Sequence, residues 1–253
     1  MFSTETHCLY EKNPVAEVIC QFRFPEILTI EANLPVDFQE AIRKEFPRYQ
    51  KREDKLPPLP GKQPASVTNH QFSSADGIWR VNLTSRFFSL ACTRYSSWEN
   101  FAGRLDRPLA AFLKIYQPAY YERVGLRYVN VISRKVLDLE GIPFSQMIQP
   151  CYLGPLAEED VSEAASTRCS IDCDLGLRGG CRAKIHAGPG MVKRAGQADT
   201  EVKFIFDQDL YMPGQVPIHL SAGALQTLHT QAFSIFRGAV TDLLHHAMEP
   251  SYQ

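Results

Sequence analysis

The sequence predicts an α+β protein with a mostly antiparallel sheet and with helices packed on one face of that sheet. Three observations lead to this fold class. Strand-like segments follow each other without a helix between every pair, each long helical segment carries one apolar stripe, and 44% of the 253 residues are hydrophobic. The expected element order is β-α-β-β-α-β, followed by β-β-β-α.

The chain is expected to begin with a strand and a helix. Apolar and polar residues alternate from Ala16 to Phe24, which is typical of a half-buried strand, and Pro25 ends it. A helix is expected from Val36 to Phe46, because Pro35 suits a first helical turn and large apolar residues recur at helical spacing.

The clearest predicted loop runs from Gln50 to Ala65. Its first part is charged and its second part contains four prolines, a density that excludes a helix or a central strand. The sequence therefore predicts an exposed arm here, which could contact a partner.

A hairpin and a long helix are expected next. Asp76-Gly77 favours a turn, and the segments Ile78 to Thr84 and Arg86 to Tyr95 are predicted to be antiparallel strands. The helix begins after Ser97, a good N-cap, and extends to about Tyr116. Pro108 is expected to kink or split it.

The second half begins with a long strand, Tyr120 to Ser133, and continues into an irregular connection, Asp138 to Arg168, with a short helical piece near Pro143 to Gln149. Its other expected elements are three strands, a turn and the last helix: Cys169 to Leu177, Arg182 to Ala187, Glu201 to Phe206, Gly188 to Gly196 and Ser221 to Met248. Together these elements predict one compact unit of two sub-halves, about 10–135 and 165–250, joined by the irregular segment.

Composition narrows the class of protein. The formal net charge is −1, so the molecule as a whole is not drawn to nucleic acid or to an anionic membrane. No apolar run is long enough to span a membrane, and the first ten residues do not resemble a signal peptide. The seven cysteines are scattered, which is typical of a protein in the reducing cytoplasm.

Three segments carry a family resemblance. They are Tyr10 to Val18, with Tyr-x3-Pro-Val-x-Glu-Val, then Tyr95 to Phe101, with Trp-Glu-x-Phe, and Val124 to Ile132, with Val-Gly-Leu-Arg-Tyr-Val-Asn. In this order they resemble a sporadically distributed family of uncharacterised prokaryotic proteins of about this size. The sequence departs from that family at Tyr95 to Trp98, where proline and glycine are more common. Sporadic distribution implies a link to antiviral or CRISPR-associated systems.

Arginines on predicted strands are the main candidate site. Arg123 and Arg127 share one face of a strand, and neighbouring strands that brought more arginines beside them would form a surface for phosphate or carboxylate. The candidate binding residues are Arg23, Arg80, Arg94, Arg123, Arg127, Tyr128 and Trp98. The alternative is a solvated sheet face whose arginines pair with glutamates, which the near-neutral total charge favours. Trp98 also suits an anchor between its helix and the sheet.

A second candidate set contains possible zinc ligands. Cys169, Cys173, Cys181 and His186 follow the spacing C-x3-C-x7-C-x4-H, which is not a zinc-finger or zinc-ribbon pattern. Inward-facing core cysteines explain the set better. No nucleophile motif, phosphate-binding loop or dinucleotide fingerprint occurs either, so no cofactor is expected.

These observations favour a non-enzymatic binding or adaptor protein that presents a sheet face and the Gln50 to Ala65 loop to a protein partner. One alternative is an RNA or nucleotide binder that uses the arginine and tyrosine side chains of the sheet. Another is a nuclease or hydrolase whose site is assembled from distant residues. The oligomeric state is left open.

Overall fold

The predicted α+β class is confirmed. The computed structural model describes residues 2–55, 66–194, 197–198 and 200–252. Within these ranges it has six α-helices, a nine-stranded antiparallel sheet and two short two-stranded sheets. None of the helices in the described ranges is long and apolar enough to cross a membrane.

The helices are α1 (Leu28–Ala32), α2 (Val36–Ile42), α3 (Trp98–Tyr116), α4 (Phe144–Met147), α5 (Ser221–Ala239) and α6 (Asp242–Ala247). The strands are β1 (Leu9–Tyr10), β2 (Val15–Arg23), β3 (Arg48–Lys55), β4 (Ser66–Ser73), β5 (Trp79–Leu83), β6 (Phe87–Cys92), β7 (Tyr121–Ile132), β8 (Ile171–Gly176), β9 (Arg182–Gly190), β10 (Lys193–Arg194), β11 (Gln197–Ala198), β12 (Lys203–Val216) and β13 (Pro250–Ser251).

The large sheet has the strand order β3-β4-β5-β6-β2-β7-β12-β9-β8. The chain divides into two compact units. Unit 1 contains Met1–Ala16, Arg127–Leu210 and Gln226–Gln253, and unit 2 contains Glu17–Leu126 and Tyr211–Leu225. The arrangement of the predicted sub-halves, about 10–135 and 165–250, as one compact body stays a prediction.

The core of unit 2 lies between one sheet face and helices α2 and α3. Phe22, Phe72 and Phe88 from the sheet are fully buried, as are Phe38 from α2 and Phe112 from α3. Their rings contact one another across this layer, with centroids of Phe38 and Phe72 5.4 Å apart and those of Phe88 and Phe112 5.2 Å apart. Alternation along each strand therefore leaves the other sheet face outside this core.

The predicted split of helix α3 at its proline is wrong, and the alternative of a kink stays a prediction. Ser97 caps it as predicted, with its Oγ accepting a hydrogen bond from the Asn100 amide at 3.2 Å. Pro108 does not split the helix, which continues to Tyr116. Pro108 itself is buried on the apolar face of α3 beside Leu105 and Phe112, and we attribute the continuity of the helix to this packing.

The predicted loop from Gln50 to Ala65 is wrong for its first six residues. They belong to β3, the edge strand of the large sheet, which pairs with β4 over eight positions from Arg48–Ser73 to Lys55–Ser66. An edge strand tolerates this charged sequence because its side chains remain in solvent. The proline-rich part, 56–65, lies outside the described residues. Two strands, β3 and β4, thus precede the predicted hairpin.

Three other elements in the second half differ from their predicted bounds. The predicted last helix is two helices, because it breaks at Val240 and restarts after Thr241, whose Oγ1 accepts from the Leu244 amide at 3.4 Å. Strand β12 is longer than the predicted Glu201 to Phe206, and β9 continues two residues past Gly188, into the predicted turn.

Buried histidines make stability depend on pH. His70 is 2% exposed and His245, which is hydrogen bonded to the Tyr10 hydroxyl at 2.9 Å, is 4% exposed. Burial lowers the pKa of both histidines below the ordinary 6.5. The unfolded chain therefore binds protons more readily than the folded chain. The contribution of these two histidines to the free energy of unfolding is complete above pH 6.5 and is lost as the pH falls toward the lower folded-state pKa values.

We expect the free energy of unfolding by urea to be lower at pH 5.5 than at pH 7.5. The substitution His245→Gln should reduce this pH dependence, whereas His219→Gln, at an exposed position, should leave it unchanged. Equal stability of the wild type at both pH values would contradict the prediction.

Candidate functional site

Three predicted arginines lie on the sheet face of unit 2 that points away from α2 and α3, here called the open face. Arg23 and Arg80 alternate with the core residues Phe22 and Val81, and Arg123 precedes the buried Val124. The strands thus bring together side chains that are distant in sequence.

A row of polar side chains crosses the open face from strand to strand. Five adjacent strands place one such residue directly opposite the next, and these residues, the amide row, are Gln50, Gln71, Asn82, Ser89 and Gln21. Gln71 Nε2 donates to Asn82 Oδ1 at 2.9 Å, and Asn82 Nδ2 donates to Ser89 Oγ at 3.1 Å. The centre of the row is therefore a hydrogen-bonded chain, fixed in orientation.

Arginines flank the amide row on both sides, two positions away along the strands. On one side, Arg48 of β3 and Arg80 of β5 are both paired with Ser73 of the strand between them, β4. Arg52 and Arg23 lie on the other side, opposite Asn69 and Phe87 respectively. These four residues are the arginine flanks. Arg48 and Arg52 are four residues apart on β3, a separation of about 13 Å at the usual strand rise.

The amide row has a buried centre and accessible ends. Asn82 is 9% and Ser89 3% exposed, whereas Gln50 is exposed and Gln71 and Gln21 are half-buried. Gln50 Oε1 accepts from Arg52 at 3.1 Å, and Gln21 Oε1 accepts from Arg23 at 2.9 Å. Within the described residues, the Nε2 groups of Gln50 and Gln21 and the Oε1 atom of Gln71 have no hydrogen-bond partner.

Asn69, beside the row, contains an unsatisfied buried acceptor. This residue is 2% exposed, and its Nδ2 donates to Asp54 Oδ2 at 2.6 Å. Its Oδ1 has no partner in the described part of the chain. A buried polar atom without a hydrogen bond costs about 1–3 kcal/mol, so this acceptor does not stabilise the fold.

The open face is electropositive although the whole chain is nearly neutral. Unit 2 contains 15 lysines and arginines and 12 aspartates and glutamates, a net charge of +3. Unit 1 contains 12 and 16, a net charge of −4. On the open face Glu17 binds Arg80 at 3.4 Å and Asp54 binds Asn69. The near-neutral total charge therefore conceals a cationic unit.

Arg123 extends the amide row to β7. It donates to Gln21 Oε1 at 3.4 Å, and its guanidinium lies 4.5 Å from the centroid of the Tyr211 ring. It also passes over Gly125, where a Cβ atom would lie 2.2 Å from Arg123 Nη1. Glycine at 125 therefore leaves the space that the guanidinium occupies.

The other four predicted residues lie away from the amide row. Arg127 belongs to unit 1 and forms an ion pair with Asp207. Arg94 was expected on a strand, but it is exposed in the connection after β6. Trp98 is 8% exposed and stacks on Phe101. Tyr128 is 5% exposed, with its hydroxyl 2.9 Å from His229 Nδ1. Trp98 and Tyr128 thus contribute to packing, and their proposed binding roles stay predictions.

The weak zinc set is not gathered into one site. The Cys169 thiol contacts the Leu153 carbonyl at 3.5 Å, and the Cys181 thiol contacts the Gly179 carbonyl at 4.0 Å. His186 Nδ1 lies 2.8 Å from Asp172. Among the described residues, no group of three or more His, Cys, Asp or Glu side chains is arranged to hold a metal ion, which includes the set with Cys173.

Comparison with known proteins does not assign this chain to a family. No protein-family model matches this chain, and no curated protein matches it either. The resemblance to the sporadic prokaryotic family therefore stays a prediction, and the function is argued from the geometry of the open face.

Proposed function

We propose that this protein binds nucleic acid through the open face of unit 2. The observation that carries the proposal is the amide row with an arginine flank on each side. Guanidinium groups bind phosphate through paired hydrogen bonds, and amides bind sugar hydroxyls and base edges.

The charges of the arginine flanks support this ligand. Arg48 is exposed and has no ion-pair partner among the described residues, and Arg52 donates a hydrogen bond to the neutral amide of Gln50. Arg80 is 41% exposed although it contacts Glu17. An anionic polymer that crosses the face would bring a phosphate to each of these cations.

Protection of the sheet edge explains only part of this pattern. Charged side chains on an edge strand prevent pairing with other chains, and this accounts for the charges of β3. It does not account for Gln71 and Asn82, which lie on β4 and β5 inside the sheet. Asparagine is uncommon in strands, so its alignment with glutamine and serine on neighbouring strands favours a binding role.

The affinity for a labelled RNA or DNA of about 20 nucleotides should fall steeply with salt. If the four flank arginines each meet one phosphate, the slope of log K against log salt should be about −3 to −4. Fluorescence anisotropy at 50 to 300 mM KCl measures this slope. The absence of binding at low salt, or an affinity that does not depend on salt, would refute the proposal.

Binding of a protein partner is a second proposal, and one observation favours it. Leu28, Leu34 and Val36, in and beside the short helices α1 and α2, are 71%, 64% and 53% exposed. Apolar side chains grouped in this way are typical of protein interfaces. An adaptor role would use this surface, whereas an accessory role in antiviral systems is implied only by the family resemblance. Hydrogen exchange with a purified partner would test it, since protection must then extend to 28–36.

A further inference from the structure

We infer that the nucleic acid is an RNA duplex, bound at its minor groove. This inference rests on the proposed function and names the ligand class of the same face. It follows from the two-sided arrangement of the arginines, from their separation, and from the chemistry of the amide row.

The arginine flanks fit two backbones better than one. A single strand that crosses the sheet presents its phosphates along one path, so cations on both sides of the amide row would not all be used. The two strands of a duplex place phosphates on both sides of a groove. Arg48 with Arg80 and Arg52 with Arg23 then face one backbone each, with the amide row between them.

The separation of the flanks distinguishes the two kinds of duplex. Four strand residues place Arg48 and Arg52 about 13 Å apart. The minor groove of B-form DNA is only about 6 Å wide and 7.5 Å deep, so the broad face of a sheet does not enter it without bending the DNA. The minor groove of A-form RNA is wide and shallow and exposes base edges and 2′-hydroxyls.

The amide-row atoms that have no partner within the described residues match a line of 2′-hydroxyls. A hydroxyl both donates and accepts, and the row offers two donors, Nε2 of Gln50 and of Gln21, and one acceptor, Oε1 of Gln71. Gln71 is held in this orientation because its Nε2 is engaged by Asn82. DNA lacks the 2′-hydroxyl, so these contacts are specific for RNA.

Aromatic side chains also favour a duplex over a single strand. Proteins that bind single strands on a sheet stack successive bases on several exposed rings. The amide row and the arginine flanks contain no aromatic residue. Phe87 is half-buried opposite Arg23, and the Tyr211 ring is already covered by the guanidinium of Arg123.

The test compares three ligands of one sequence: a 20-base-pair RNA duplex, the corresponding DNA duplex, and one RNA strand. We expect the RNA duplex to bind at least about tenfold more tightly than either of the others, the factor that one or two neutral hydrogen bonds to 2′-hydroxyls supply. A change of base sequence should have little effect, because the contacts are with phosphates and 2′-hydroxyls.

Variants test the geometry. Arg48→Ala and Arg52→Ala lie on opposite flanks, and each should weaken RNA-duplex binding about tenfold, while Arg43→Ala, an exposed arginine of the helical connection, should not. Gln71→Ala should reduce the preference for RNA over DNA without weakening DNA binding. Circular dichroism confirms that each variant is folded.

The outcomes separate this inference from the proposed function. Equal or tighter binding of the single strand or of DNA overturns the RNA-duplex inference and leaves nucleic-acid binding in place. An effect of Arg48→Ala without any effect of Arg52→Ala also overturns it, because only one backbone is then bound. No binding of any of the three ligands overturns both.

Discussion

The double substitution of Arg48 and Arg52 by glutamate will abolish nucleic-acid binding, with a loss of affinity of at least about 100-fold at 100 mM salt. Each arginine contributes a charge-assisted hydrogen bond to phosphate of about 1.5–3 kcal/mol, and two such losses correspond to a factor of 100 or more. The glutamate side chains also repel the phosphates of the ligand, which lowers the affinity further. Both side chains are exposed on an edge strand, so the fold should be retained. Anisotropy titration of the RNA duplex measures the effect.

A matched control separates local geometry from total charge. The substitutions Arg43→Glu and Lys44→Glu change the charge of the same unit by the same amount, at exposed positions following α2. The affinity of this variant for the RNA duplex should fall no more than a few-fold, because only the long-range electrostatic attraction between protein and RNA is weakened. Equal losses in the two double variants would show that the open face is not the binding surface.

Phe88→Ala should cause the largest loss of stability, about 3–5 kcal/mol in the free energy of unfolding. The Phe88 ring is 0% exposed and lies 6.2 Å from Phe22, 6.3 Å from Phe38 and 5.2 Å from Phe112, measured between centroids. It thus connects two strands with both covering helices. Its removal leaves a cavity that the rigid layers on either side cannot close. Urea unfolding followed by tryptophan fluorescence measures the change.

Phe87 provides the internal control, since it is the preceding residue of the same strand and points to the open face. Phe87 is only half-buried, so Phe87→Ala should lower the free energy of unfolding clearly less than Phe88→Ala does. If Phe87→Ala is the more destabilising of the two, the assignment of the two sheet faces is wrong.

The elements with a strong local pattern could be predicted from the sequence. The strands β2 and β7 alternate buried and less buried residues over most of their length, and α3 has both a capping serine and an apolar stripe. Strand β3 was missed because its charged residues have no apolar alternation, and its position as an edge strand depends on pairing partners. The break at Val240 was missed because apolar residues continue through it.

The candidate site could be predicted only in part. Arg23, Arg80 and Arg123 were expected on strands that would form one surface if they adjoined, and the structure brings them to one face of unit 2. The amide row could not be predicted, since it depends on the register of five strands and one of its members, Gln50, was assigned to a loop. Near-neutral total charge also argued against a cationic surface, because opposite charges in the two units cancel in the sum.

The pairing of β1 with β13 in unit 1 has a practical consequence. Leu9 is paired with Ser251 and Tyr10 with Pro250, so two segments from opposite ends of this sequence are neighbours in one ladder. A short peptide linker could join them, since paired strands are only about 4.8 Å apart. Such a cyclised chain permits circular permutants with new ends elsewhere, and two fluorophores that quench each other on contact, placed at these positions, would report fraying of the ladder as a gain of fluorescence.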